Sequence, residues 1–335
     1  WPDLRAAWLR ANLSTTPAAD IDAFIQQHGT LRPARELRYK QAMMLARDGD
    51  LGGFQRIYEQ FYQGQDIARL DCLSLQAEIN AGRFTRVNQR ALDLWLVGTS
   101  QVSECDPVFT YLNDNNLLDT LAYRKRFDLA IEAREFQLAR WLAKKIDQPH
   151  VDEAALWVQA QANPEEFLRQ HNPRINGPTY RKQLTYAAER LTYRDPELAL
   201  RLWHRVVKRY GFSAEQKLRT DRHIALWTAR DNLPGGYKLL AKLPVAAQDD
   251  EVLRWRARTS LRDTKWKRLL IDIGAMTQIE QDSEEWKYWH AVALHRLGRV
   301  AEANAAFASL SQERSYYGFL AADRLGQPYA FNHLS

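Results

Sequence analysis

The sequence predicts an all-α protein, built as a solenoid of stacked helical hairpins that we expect to curve into a ring or horseshoe. Three observations lead to this fold class. Apolar residues recur every three or four positions in short segments, which is the periodicity of one buried helix face. Turn-forming residues separate these segments at spacings of about 31–37 residues, typical of helical repeats. The 335 residues include only 15 Gly and 12 Pro, too few for the turns of an all-β fold.

The individual hairpins are identified by their turns. In the clearest hairpin, the apolar stripe of residues 286–297 precedes Gly298-Arg299, and a second stripe follows over 300–310. A hairpin of this length cannot bury its apolar face alone, so it must stack on its neighbours. Comparable turns are expected at residues 48–50, 81–83, 132–135, 195–196, 231–232 and 262–263.

Proline marks the starts of several predicted helices, because the first helical turn tolerates a residue without an N–H group. Asn163 and Asp195 each precede such a proline and are expected to cap the helix that follows. The helix-start prolines are Pro164, Pro178, Pro196 and Pro234.

Positive charge is concentrated in one third of the chain. The whole sequence carries a formal net charge of +6, whereas residues 171–271 contain 22 Lys and Arg against 10 Asp and Glu, and the remainder is net negative. Such a segment suggests an acidic partner, such as nucleic acid, an anionic membrane or an anionic polymer. The alternative is that these cations are solvated outer faces of amphipathic helices, as the pattern of residues 200–209 suggests.

The motifs of known catalytic and metal sites do not occur in the sequence. It contains no phosphate-binding glycine loop, HExxH, nucleophile elbow or CxxC. The acidic runs at 249–251 and 284–285 lie at expected helix N-termini, where the helix dipole accounts for them. We therefore expect no cofactor, no metal and no catalytic residue in this chain. Four histidines lie singly on predicted helices and form no ligand set: His204, His223, His290 and His295.

Two aromatic groups could bind a ligand by stacking. Residues 286–289 and 316–319 could stack on sugar rings, but aromatic residues at these positions are more commonly packing anchors. Trp255 and Trp266 lie among basic residues, a pattern compatible with single-stranded nucleic acid. An ordinary amphipathic hairpin has the same spacing, so we expect no nucleic-acid partner.

The two cysteines, Cys72 and Cys105, are too few for a disulfide scaffold and fit no zinc pattern. In an oxidising compartment, one bridge would close a loop of about 34 residues and stabilise the fold by roughly 3–4 kcal/mol. In a reducing one, both would be small buried core residues. The residues themselves leave these alternatives open.

Several segments, in the same order along the chain, resemble the large soluble lytic transglycosylases. Near the C-terminus these are residues 285–289 (EWKYW), 298–303 (GRVAEA) and 316–326 (YYGFLAADRLG). Near the N-terminus they are 31–35 (LRPAR) followed by 45–47 (LAR). Between them, Cys72 and Cys105 bracket residues 91–101 (ALDLWLVGTSQ). The ordered set is more specific than any one segment.

The resemblance implies a periplasmic enzyme that cleaves the N-acetylmuramic acid–N-acetylglucosamine linkage of peptidoglycan to 1,6-anhydromuropeptides. Members of this family combine a ring-like α-superhelix, a small linker domain and a lysozyme-like catalytic domain. The last of these carries the catalytic Glu in a Glu-Ser motif, followed by Gly-Leu-Met-Gln and Ala-Tyr-Asn-Ala-Gly. None of the three motifs occurs here, so this chain alone is expected to be inactive. Residues 1–335 would form a single superhelical domain, with about 312–335 leading into the linker domain.

The resemblance also implies partners, a location and a cysteine pairing. A periplasmic protein, whose signal peptide is not in this chain, would carry a Cys72–Cys105 disulfide. The expected role is a scaffold that positions the linker and catalytic domains of the same polypeptide and binds glycan strands or stem peptides, with other cell-wall enzymes as further partners. The alternative is a tetratricopeptide-like adaptor for protein partners. The candidate contacts to peptidoglycan carboxylates are Arg181, Lys182, Arg205, Lys208 and Arg209.

Overall fold

The computed structural model describes residues 1–331, and these fold into helices without a β-strand. Residues 332–335, the end of the stretch expected to lead into a linker domain, lie outside the described residues. Contacts between Cα atoms divide the chain into two compact units, with the boundary between Val158 and Gln159. The proposal that the chain forms one domain stays a prediction. Within residues 1–331, no helix combines the length and the apolar character needed to cross a bilayer.

The first unit consists of antiparallel helices that pack on their neighbours along the chain. A short 3-10 helix, Ser103–Cys105, precedes the seventh helix. The helices are α1 (Pro2–Ala11), α2 (Ala18–His28), α3 (Arg32–Arg47), α4 (Leu51–Phe61), α5 (Ala68–Asn80), α6 (Val87–Trp95), α7 (Asp106–Asp114), α8 (Thr120–Glu132) and α9 (Phe136–Ala143). The next helix, α10 (Gln148–Ala162), contains the boundary between the units.

The second unit continues with α11 (Pro164–Arg169), α12 (Pro178–Thr192), α13 (Pro196–Val207), α14 (Ala214–Arg230), α15 (Gly236–Ala241), α16 (Asp250–Arg262), α17 (Trp266–Gly274), α18 (Gln278–Gln281), α19 (Glu284–Arg296), α20 (Val300–Leu310) and α21 (Tyr316–Leu325). Helix α12 packs on α13 and also on α14, while α14 packs on α16, and α19 on both α20 and α21. Contact with the next helix and the one after it is the packing of stacked hairpins, so the predicted solenoid is confirmed.

The predicted turns and proline starts agree closely with the helix ends. Helices α11, α12 and α13 begin at Pro164, Pro178 and Pro196, and α15 begins two residues after Pro234. Asp195 caps α13, because its carboxylate accepts a hydrogen bond from the backbone N–H of Leu198 at 2.9 Å. The expected cap at Asn163 is wrong, since its side chain makes no capping hydrogen bond.

Buried aromatic and aliphatic side chains fill the core of each unit. In the first unit, Leu75, Trp95 and Phe127 belong to the same buried apolar cluster as the two cysteines. In the second, Trp286 is 1% exposed and packs with Leu253 and Leu269 of the neighbouring hairpin. Most helices of this length are only marginally stable alone, so this burial holds them in place.

Candidate functional site

The five candidate cations lie at one end of the α12–α13 hairpin. Residues 193–195 connect the two helices, so the start of α12 and the end of α13 lie at the same end. The rings of Tyr180 and Tyr210 confirm this arrangement, with centroids 5.8 Å apart. Asn172 joins the same end, because its carbonyl accepts from the Tyr210 hydroxyl and its N–H donates to the Tyr180 hydroxyl, both at 2.9 Å. Arg181 and Lys182 follow Tyr180, and Lys208 and Arg209 precede Tyr210.

Four of the five cations are exposed and one is partly anchored. Lys182, Arg205, Lys208 and Arg209 are exposed. Arg181 is half-buried and donates to the carbonyl and side-chain oxygens of Asn176, at 3.2 and 3.0 Å. Among residues 1–331, none of the five has an acidic partner within ion-pair distance. The hairpin therefore presents uncompensated positive charge at this end, and its role in binding stays a prediction.

Several other arginines of the basic segment are ion-paired with acids of neighbouring hairpins. In four of these pairs the partners lie 26–30 residues apart, close to one structural repeat. Some of the acids, such as Glu280 and Glu285, lie beyond residue 271, so the charge count of 171–271 overstates the charge that faces solvent. These four pairs are Arg219–Glu189 at 3.1 Å, Arg222–Asp249 at 2.7 Å, Arg254–Glu280 at 2.8 Å and Arg258–Glu285 at 3.4 Å.

The aromatic residues singled out in the sequence are largely structural. Trp286 and Tyr288 are buried, as expected for packing anchors, whereas Tyr316 is 70% exposed. The ring of Trp255 lies against the guanidinium groups of Arg230 and Arg258, at 5.6 and 5.3 Å. Both of these arginines are ion-paired with glutamates, so the cations beside Trp255 are already engaged within the protein.

The two cysteines form a disulfide in the structure, as the resemblance implies. Cys72 lies on α5 and Cys105 ends the short helix before α7, with Cα atoms 4.9 Å apart. Both residues are fully buried among the apolar side chains of the first unit. The bridge therefore links α5 to the start of α7, across a sequence separation of 33 residues.

Carboxyl groups with perturbed pKa values have structural partners. Burial raises the pKa of Asp71, which accepts a hydrogen bond from the Tyr58 hydroxyl at 2.7 Å. Burial also raises the pKa of Asp221, which accepts from the Trp203 indole N–H at 2.8 Å. Each is a single carboxyl that holds an aromatic side chain, which is a structural arrangement. No group of three or more potential metal ligands occurs within the described part of the chain.

Sequence reasoning missed one unusual cation, Arg126 on α8. It is only 4% exposed and its guanidinium lies 4.6 Å from the ring of Trp95. Burial lowers its pKa to about 10, so the group stays charged at neutral pH. The available signal was its position, because Arg126 shares a helix stripe with the buried residues Tyr123, Phe127 and Ala130. A charge within an apolar stripe is a candidate for a special role.

Comparison with known proteins identifies relatives over almost the whole chain, although no family model matches it. The soluble lytic murein transglycosylase of Escherichia coli K12 is 26% identical over 332 residues, which are 98% of this chain and 51% of that protein. The same enzyme of Salmonella typhimurium LT2 is 26% identical over 333 residues. The chain thus spans about half the length of the curated relatives it matches.

Solved structures agree with the sequence relatives. An inactive variant of the lytic transglycosylase Slt from Pseudomonas aeruginosa superposes with a TM-score of 0.70 at 29% identity, over 98% of this chain and 53% of that one. The 70-kDa soluble lytic transglycosylase in complex with bulgecin A has a TM-score of 0.73 at 24% identity, with the same coverage. This chain is therefore homologous to soluble lytic transglycosylases, over 98% of its own length and about half of theirs.

Proposed function

We propose that this chain is the non-catalytic superhelical scaffold of a periplasmic lytic transglycosylase, which cleaves peptidoglycan to 1,6-anhydromuropeptides. The observation that carries the proposal is the match of 98% of this chain to about half of each relative. The half that is matched is helical, and the sequence contains no Glu-Ser motif. In this proposal the scaffold positions the linker and catalytic domains of the same polypeptide, and other cell-wall enzymes are further partners.

The same scaffold binds peptidoglycan through the uncompensated cations of the α12–α13 hairpin. Stem peptides carry carboxylates, which are attracted to exposed cations that lack acidic neighbours. Lys182, Arg205, Lys208 and Arg209 are exposed and unpaired among residues 1–331, whereas many other arginines of the segment are ion-paired. Binding of this kind weakens as salt screens the charges.

A charge-reversal variant tests this surface. Replacing Lys182, Arg205, Lys208 and Arg209 by Glu should lower the affinity for purified sacculi by about tenfold or more, since attraction becomes repulsion. Arg181 is left in place because it anchors Asn176. Co-sedimentation with sacculi at several salt concentrations measures the effect, and circular dichroism verifies the fold.

A matched control changes the net charge equally at other exposed lysines of the same segment. These residues also lack ion pairs within residues 1–331, and their reversal should leave most of the binding intact. An equal loss in both variants would indicate a general charge effect, and no loss in either would contradict the proposed surface. The control replaces Lys238, Lys242, Lys265 and Lys267 by Glu.

A further inference from the structure

A pocket in the first unit is built around the buried cation Arg126. Its volume is about 720 Å³, and it is lined by residues of α6, α7, α8 and α9. Aromatic side chains form much of its wall, and Trp141 on α9 is half-exposed. A concave site with aromatic walls and a few polar groups is the usual form of a small-ligand site. The aromatic lining residues are Trp95, Phe109, Tyr123 and Trp141.

Arg126 has no carboxylate partner among residues 1–331, although it is almost fully buried. Its Nη2 donates to the carbonyl of Thr99 at 3.3 Å. Its Nε is buried and has no hydrogen-bond partner. The faces of Trp95 and Phe109 lie 4.6 and 5.6 Å from the guanidinium carbon. Buried arginines are normally paired with acids, so this one lacks its usual counterion.

Two further charged side chains line the pocket, and both are exposed. Lys145, beyond the end of α9, adds a second cation. Asp106, the first residue of α7, supplies the acidic group of the lining. Neither has an ion pair within the described chain. An anion entering the pocket would meet two cations and one acid, with the buried cation in the less polar environment, where charge attraction is strongest.

We propose that this pocket binds a carboxylate carried by a sugar or a short peptide, with Arg126 and Lys145 holding the carboxylate and Trp141 packing against the rest of the ligand. Guanidinium matches the planar carboxylate by parallel hydrogen bonds. A half-exposed indole offers apolar surface to a sugar face or an aliphatic side chain. The inference rests on the pocket alone and does not depend on the proposed scaffold function.

A purely structural role for Arg126 makes a different prediction. The hydrogen bond to Thr99 holds the segment between α6 and α7 whether or not a ligand enters. In that case, acids and neutral analogues would bind equally or not at all. Changes at Trp141, Lys145 or Asp106 would then leave ligand affinity unaffected.

Calorimetric titration of the purified protein distinguishes these cases. The acidic probes are N-acetylmuramic acid and N-acetyl-D-alanine, and their neutral counterparts are N-acetylglucosamine and N-acetyl-D-alaninamide. At least one acid should bind with a Kd about tenfold or more below that of its neutral counterpart, because a charged hydrogen bond is lost in the latter. The preferred acid identifies a sugar or a peptide as the source of the carboxylate. Millimolar titrations without heat for either acid, or equal affinity for acid and neutral probe, would overturn the proposal.

Four variants assign the binding to this pocket. Arg126→Met should abolish the preference for acids, and the exposed changes Trp141→Ala and Lys145→Gln should weaken acid binding several-fold with unchanged thermal stability. Asp106→Asn should tighten acid binding, since a like charge is removed. If Arg126→Met fails to fold, the other three variants test whether the acid binds in this pocket. Acid affinity unaltered in all three would refute the assignment, whatever the sacculus experiment shows.

Discussion

His223 on α14 is half-buried in an aromatic cluster, and burial lowers its pKa. Its ring stands edge-on to Tyr193 with centroids 5.3 Å apart, and Nε2 donates to the carbonyl of Glu189 at 3.1 Å. Glu189 opposes the shift, whereas the nearby charges of Arg219 and Arg230 add to it. The unfolded chain therefore binds a proton at His223 more readily than the folded protein does.

This difference predicts acid sensitivity. A lowered folded-state pKa gives stability that is fully present above the ordinary pKa of about 6.5 and is lost as pH falls through the folded value. His223→Gln keeps a donor for Glu189 and should flatten the dependence of unfolding free energy on pH between 5 and 7. Urea denaturation at several pH values measures this pH dependence of the unfolding free energy. The control is His295→Gln at an exposed position, and an unchanged slope in His223→Gln would contradict the assignment.

At the residue scale, sequence could predict contacts within a helical turn but not those across the fold. Asp195 and Asn163 look equivalent before their prolines, yet only Asp195 caps its helix. Arg126 could be recognised as a charge in an apolar stripe. Its missing counterion could not be recognised, because that depends on which side chains of α6, α7 and α9 surround it.

Three helices of the second unit are held together by one fully buried carboxylate, Asp272 on α17. Arg256 of α16 donates to it at 2.6 Å, Ser260 of α16 at 2.9 Å and Tyr237 of α15 at 3.2 Å. Burial raises the pKa of Asp272, although Arg256 and both hydroxyls act in the opposite direction. The cluster therefore fixes the relative position of α15, α16 and α17 through directed hydrogen bonds.

Disrupting this cluster should strongly destabilise the folded protein. Asp272→Asn keeps the side-chain shape but leaves Arg256 without a counterion, and we expect a loss of about 3 kcal/mol in unfolding free energy. The matched control is Glu302→Gln, which removes one partner of the exposed pair with Arg299 and should cost less than about 1 kcal/mol. Chemical denaturation compares the two, and similar losses would argue against a special role for the buried pair.

At the element scale, the predicted turns include some that contain glycine and others that do not. Gly298 lies just beyond the end of α19 with φ of 79°, where glycine adopts the left-handed conformation without strain. Arg134 and Thr264 adopt φ of 63° and 54° in equivalent turns, although neither residue type favours them. Only the apolar stripe that follows it predicts the turn at 132–135, because its own residues do not have a typical turn composition.

At the scale of the whole molecule, sequence predicted the class of fold and overstated the charge of the basic segment. Period and amphipathicity depend on neighbours along the chain, which a sequence displays directly. The ion pairs between hairpins, such as Arg254–Glu280, depend on how successive repeats align in space. These ion pairs distinguish two groups of cations. The arginines that form them are neutralised, whereas the candidate cations of α12 and α13 have no acidic partner among residues 1–331.

A stack in which each helix contacts its near neighbours should respond locally to the loss of a covalent bond. Helix α5 packs against α4, α6 and α7, so the Cys72–Cys105 disulfide directly constrains this part of the first unit. Removing the bridge by Cys72→Ser and Cys105→Ser should lower local stability by about 3 kcal/mol, chiefly by freeing the unfolded chain. Hydrogen exchange should therefore accelerate in α5, α6 and α7.

The C-terminal helices α19 and α20 serve as the internal control in the same experiment. They contact α17, α18, α21 and each other, so their exchange should stay within error of the wild type. Thiol titration of the wild type should find no free thiol in the native or the unfolded oxidised protein, and two after reduction. Two titratable thiols without reductant would show that the bridge is absent. Uniform acceleration over all helices would instead mean that the chain unfolds as one cooperative unit, because loss of a single bond would then reach helices that have no contact with it.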